Sequence, residues 1–342
     1  MNNIKGNKLV YEGLLFVVIM VLTFRSIFRN QKIGEILYSI QKMPIKYMGI
    51  AVLLALLYVV GEGCMICFLL KKIGETTSVL RCVSYSFIGF FFSGITPSAT
   101  GGQPMQLYCM KKDGNSISGS SVVLMTVAVV YKLVLVLIGI GILIFWNRSL
   151  KEYMGKYYGL YFLGLFLNII LVVILFFVMF YPQIIKSILC NLQKVLMYFR
   201  KKKIYDQEQV KINKFLNSYS ETVVFLKHHK SLIGVILVGT FLQRITLFLL
   251  TYIVYCGLGL STYGMLEIVL LQASIYVATD MLPLPGAQGI TETIYKIVFQ
   301  YIFPGSFLVV SMCITRGISF YFIMLVSFFV FWLTYFNKRE EI

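Results

Sequence analysis

Six stretches of this chain are apolar for long enough to cross a lipid bilayer as helices, and that narrows the fold more than any motif does. They are "LVYEGLLFVVIMVLTF" from Leu9, "GIAVLLALLYVVGEGCMICFLL" from Gly49, "SVVLMTVAVVYKLVLVLIGIGILIFW" from Ser121, "YYGLYFLGLFLNIILVVILFFVMFY" from Tyr157, "SLIGVILVGTFLQRITLFLLTYIVYC" from Ser231 and "SFLVVSMCITRGISFYFIMLVSFFVFWLTYF" from Ser306. A helix needs about 20 such residues to span the hydrocarbon core. Composition agrees: 13% of residues are charged, against about 25% in a typical soluble domain. The expected class is an all-α polytopic membrane protein, a single membrane domain over residues 1–342 with no sizeable soluble part. Lys5 and Lys8 precede the first run as in a signal peptide, but no small-x-small site follows, so a retained first helix is expected.

The net charge of +17 would suggest nucleic acid on a soluble protein. Here the basic residues sit in loops, where topology and anionic head groups account for them. Residues 182–230 hold ten Lys/Arg against three acids, including "RKKK" from Arg200, and "IIKSILCNLQKVLMYF" within them reads as an amphipathic surface helix. No nucleic-acid partner is expected. The seven cysteines are scattered, and the C-x-x-C of Cys64 and Cys67 lies inside a spanning run. The two histidines, His228 and His229, are neighbours in a basic loop. The sequence therefore offers no metal site, no cofactor site and no catalytic triad.

Orientation follows from the lysines. With the N-terminus and residues 182–230 in the cytoplasm, six full spans also bring the C-terminus back to the cytoplasm. Two apolar regions are left over, each broken by a loop. The first spans Cys82 to Met110 and is interrupted by "TPSATGGQP", with Pro97, Ser98, Thr100, Gly101, Gly102, Gln103 and Pro104. It is flanked on both sides by basic residues (Lys71, Lys72 and Arg81, then Lys111 and Lys112), so both ends belong on the cytoplasmic side. A re-entrant hairpin meets that requirement and a single crossing does not. The second region, Met265 to Phe303, is interrupted by "PLPGAQG", with Pro283, Pro285, Gly286, Gln288 and Gly289. Its ends fall on the outer side. Irregular backbone at membrane depth is tolerated only where protein buries it or a watery cavity meets it; a helix kink with no site is the simpler alternative for each tip alone.

The two halves, residues 1–150 and 151–342, read alike: helix, helix, broken hairpin, helix, in opposite orientation. Glu62 and Arg244 hold matching places before Gln103 and Gln288, and Lys132 and Arg316 hold matching places after them. An inverted repeat with broken helices meeting near the midplane is a transporter architecture. Charges buried in spans are costly and usually functional. Lys132, Arg244 and Arg316 are balanced by Glu62, Asp280 and Glu292, either as a structural ion-pair network or as a polar cavity whose cations hold a phosphate. Half-helices starting near Pro104 and Thr291 would turn positive ends toward an anion, with Gln103, Gln288, Ser98, Thr100 and Thr291 adding neutral hydrogen bonds.

At its tips the chain resembles a known family. "TPSATGGQPMQLYCMKKDG" resembles the signature of the lysylphosphatidylglycerol synthase transmembrane region, the flippase-like domain of the multiple peptide resistance factor, and "DMLPLPGAQGITE" resembles its second tip. Ala287 stands where the family more often has Gly, which implies a tip asking less flexibility. The resemblance implies a bacterial plasma-membrane protein that carries a phospholipid or aminoacyl-phospholipid between leaflets. Full-length members add a cytosolic domain that moves lysine from tRNA onto phosphatidylglycerol. This sequence ends six residues after its last expected span, so the expectation is a membrane domain without that transferase, served by a separate synthase chain if aminoacylation occurs. A phosphatidylglycerol lysyltransferase and a small-solute transporter are the alternatives, with a membrane scaffold last. Direction, energy source and oligomeric state are not fixed by the sequence.

Overall fold

The computed structural model describes residues 33–96, 99–181, 183, 187, 203–282, 287 and 289–336. The first apolar run with Glu12 and Arg25, nearly all of 182–202, and Pro97, Ser98, Pro283, Pro285, Gly286 and Gln288 of the two tips lie outside the described residues. Among the described residues every element is helical. In chain order these are α1 (Ile33–Lys42), α2 (Ile45–Lys72), α3 (Val79–Ile95), α4 (Gly102–Lys112), α5 (Ile117–Met154), α6 (Tyr158–Phe180), α7 (Lys203–His228), α8 (Lys230–Gly257), α9 (Met265–Thr279), α10 (Ile290–Phe299), α11 (Phe307–Arg316) and α12 (Ile323–Phe336). A π-helical stretch, Gly317–Phe322, joins α11 to α12.

Among the described residues four stretches are long and apolar enough to cross a membrane: Ile45–Lys72, Ile117–Phe180, Lys230–Gly257 and Phe307–Thr334. The second contains two helices, because the chain reverses at Gly155 (φ +49°) and α6 packs back along α5. α5 kinks at Trp146, where the sequence places the end of the apolar run.

α3 and α4 pack on each other as a hairpin, as do α9 and α10. Their arms have 17, 11, 15 and 10 residues. At 1.5 Å per residue the longest reaches about 25 Å, short of the roughly 30 Å hydrocarbon core. The ends of the first hairpin are tied together. α2 and α4 stop with the same signature, "KKIG" and "KKDG", in which Gly74 (φ +88°) and Gly114 (φ +92°) take the left-handed conformation. The next N–H groups, of Glu75 and Asn115, return to the carbonyls of Leu70 and Met110 at 3.0 and 3.1 Å, and this closes both helices. Glu75 then accepts from the Ser116 N–H at 3.1 Å, and Tyr85 donates to Asp113 at 2.7 Å. Both ends of this hairpin therefore sit beside the start of α5.

The ends of the second hairpin sit beside the other end of α5. Tyr153 donates to Glu267 in the first turn of α9 at 2.6 Å, and its ring meets Tyr301, just beyond α10, at 6.2 Å. α5 spans the protein between these clusters, so the hairpins enter from opposite faces. α7 lies on the face of the first hairpin: Ser218 bonds Ser118 at 2.7 Å, and Leu216, Tyr219, Val223 and Leu226 are buried.

Packing interleaves the hairpins with the long helices. α2 lies against α8, its counterpart. α5, the last helix of the first half, packs on α9 and α10, while α12, the last helix of the second half, packs on α3. Each half thus closes over the hairpin of the other. Backbones approach closely at two places: a Cβ at Gly63 would stand 2.6 Å from the Val83 Cα where α2 meets α3, and one at Gly164 would stand 2.3 Å from the Val277 carbonyl oxygen where α6 meets α9. Small residues permit such contact between membrane helices.

Candidate functional site

The charged residues singled out from the sequence converge between the hairpin tips. Lys132 lies halfway between Ile117 and Trp146, about 22 Å from the start of α5. Its ammonium contacts the Asp280 carboxylate, which caps α9 at the second tip, and approaches the Met281 sulfur at 3.4 Å. Arg316, at the end of α11, donates from Nε to Glu292 Oε1 at 2.8 Å. The other oxygen of Glu292 accepts the Gly289 N–H at 2.7 Å. That carboxylate therefore neutralises both a buried guanidinium and the positive end of α10. The expectation that this helix end would attract an incoming anion is corrected: the chain's own Glu292, 3% exposed, already fills it. Thr291 is buried and donates to the Ala287 carbonyl at 2.9 Å, so it shapes the tip.

The first tip is built differently. Thr96 closes it, donating to the Phe92 carbonyl at 2.6 Å and accepting the Gly101 N–H at 2.9 Å. Ala99 here and Ala287 in the second tip are the two non-glycine residues with positive φ among those described, +55° and +49°. The left-handed conformation costs an L-residue about 1–2 kcal/mol. The inference that Ala287 signals a less demanding tip is therefore corrected: the backbone demand remains and alanine meets it under strain.

Gln103, Pro104 and Thr100 are exposed. The residue that reaches inward is Gln106, one helical turn later, which the sequence reading missed. It is buried and donates from Nε2 to Glu62 Oε1 at 2.8 Å. Gly89 makes room for it, since a Cβ there would stand 2.3 Å from that nitrogen. A polar residue four places into a half-helix, opposite a glycine of the facing arm, was the available signal.

Arg244 sits at the centre. It has no exposed surface, and its Nε, Nη1 and Nη2 all lack a hydrogen-bond partner. Its guanidinium carbon lies 3.5 Å from the centroid of the Tyr131 ring, and the Tyr131 hydroxyl meets that of Tyr58 at 3.0 Å. Next to it, Gln243 donates to the Tyr58 carbonyl at 2.7 Å and leaves its own Oε1 without a partner. Asp280, Tyr58, Tyr131 and Tyr276 lie within electrostatic reach of Arg244, as does Glu62. Tyr276 lies within reach of Arg316 as well, which joins the ion pairs into one cluster. The cluster is closed rather than an open chamber: Lys132 and Asp280 keep side-chain exposures of 17% and 13%, the other pair 9% and 3%. Among the described residues no group of His, Cys, Asp and Glu could hold a metal ion.

These features define a helical membrane protein in which two broken-helix hairpins enter from opposite faces and bracket a buried cluster of charges. The chain belongs to the family of the lysylphosphatidylglycerol synthase TM region, whose family model matches residues 10–327. No curated protein matches it.

Proposed function

We propose that the protein is a lipid translocase, moving a phospholipid or aminoacyl-phospholipid between leaflets of a bacterial plasma membrane with the head group passing between the two tips. The observation that carries this is Arg244, a guanidinium without exposed surface and without any hydrogen-bond partner. Breaking a buried ion pair and leaving one charge alone costs about 3–5 kcal/mol, so a lone buried cation is strongly biased toward an anionic ligand. Lys132 and Arg316 are already paired. They set the field around the ligand, and Arg244 supplies the donors. A phosphodiester fits a guanidinium's forked geometry, and the depth of the site, midway along α5, suits a head group in transit rather than one at rest.

Cytoplasmic termini and a cytoplasmic face at the first hairpin are part of this proposal, supported by Lys71, Lys72, Lys111 and Lys112 at the ends of α2 and α4. Aminoacyl transfer to phosphatidylglycerol would take place outside this cluster, in a water-accessible site or on a synthase partner. The test is leaflet exchange of fluorescent phosphatidylglycerol and its lysyl derivative in proteoliposomes. Exchange faster than in protein-free vesicles supports the proposal. Equal rates, with uptake of a small anionic solute instead, would favour a solute transporter.

A further inference from the structure

The cluster contains three acids and three cations, yet they form only two contacts between opposite charges: Lys132 with Asp280 and Arg316 with Glu292. The unmatched pair is Glu62 and Arg244, and these two occupy facing helices. α2 and α8 pack along their lengths. Gln243 holds the Tyr58 carbonyl one turn before Glu62, and a Cβ at Gly61 would lie 3.5 Å from the Gln243 Cγ. Glu62 is within electrostatic reach of Arg244 and touches no cation. Its hydrogen-bond partner is the Gln106 amide, which comes from the first hairpin and not from either of the helices that carry the charges. An opposite charge so near would be the natural partner of Arg244 in the absence of ligand.

We infer that Gln106 is a positioning residue that holds Glu62 off Arg244 and thereby keeps the guanidinium available to an anionic phosphate group. This rests on the reading of Arg244 as the ligand-binding cation. Because Gln106 rides on the first hairpin, occupancy of the site becomes coupled to where that tip sits. The second hairpin has no such freedom, since two ion pairs fasten it through Asp280 and Glu292. The shared ligand chemistry is a phosphate ester or free phosphate, and both enter the test.

The test uses the full chain with Gln106→Met, Glu62→Gln, Arg244→Gln and their combinations. Methionine keeps the unbranched shape beside Gly89 and removes the amide. Melting in detergent micelles gives the first readout. In the Gln106 background E62Q and R244Q are weakly coupled; in the Q106M background the coupling becomes clearly larger, because the two charges now meet. Coupling of equal size in both backgrounds would overturn the inference, whatever the lipid assay shows. The second readout is the rise in melting temperature on adding phosphatidylglycerol, or inorganic phosphate in a separate arm. Q106M loses this rise, weakening apparent affinity at least tenfold, and Q106M/E62Q regains it. Failure of E62Q to restore it would mean that Gln106 serves packing alone. Absence of any rise with either probe in the unsubstituted protein would count against the reading of Arg244 and leave the melting cycle to decide the role of Gln106.

Discussion

Arg244 lies over the ring of Tyr131, 3.5 Å from its centroid, and this aromatic face is the closest compensation its charge receives. A desolvated cation–π contact contributes about 2 kcal/mol or more. Tyr131→Phe keeps the face and removes only the hydroxyl bond to Tyr58. It should melt within a few degrees of the unsubstituted protein. Tyr131→Ala removes the face and should lower the melting temperature well beyond that, as followed by fluorescence in detergent.

Glu292 serves Arg316 and the Gly289 N–H at once. Glu292→Gln leaves a buried guanidinium with reduced compensation, at a cost of about 3–5 kcal/mol. The expected result is a marked loss of folded, monodisperse protein on size exclusion. Adding Arg316→Met to this variant should recover part of the yield, because the uncompensated charge is then gone.

Lys132 and Asp280 join the two halves, since one lies in α5 and the other at the second tip. Exchanging them, Lys132→Asp with Asp280→Lys, should restore most of the stability that either single change removes. A double variant no better than the singles would show that the site reads each charge individually.

The opposite entry of the hairpins can be read by accessibility. With the seven native cysteines replaced, single cysteines at Thr76 and Lys111 should react with an impermeant maleimide from one face of the membrane. Those at Ser261 and Tyr301 should react from the other. All four positions are exposed at hairpin ends. Labelling of Thr76 and Lys111 from different faces would turn the first hairpin into a crossing.

Much of this arrangement was legible in the sequence because bilayer thickness turns apolar length into topology. The Lys pairs on both sides of "TPSATGGQP" announced a hairpin, and the buried charges announced a centre. Which polar residue of the tip points inward was not legible, because the answer depends on helix phase. α4 starts at Gly102, so Gln106 faces Glu62 while Gln103 faces out. Pairing was equally hidden: nothing along the chain says that Glu292 would serve its own helix end as well as Arg316, or that Lys132 would cross to Asp280. The π-helical stretch after Arg316 has no mark in "RGISFYF".

Arg244 carries the central claim, so its removal tests the account most directly. Proteoliposomes bearing Arg244→Gln, checked for folding by melting, should exchange phosphatidylglycerol between leaflets at least tenfold more slowly than the unsubstituted protein, with Arg244→Lys falling in between. Exchange at the unsubstituted rate by a well-folded Arg244→Gln protein would contradict it.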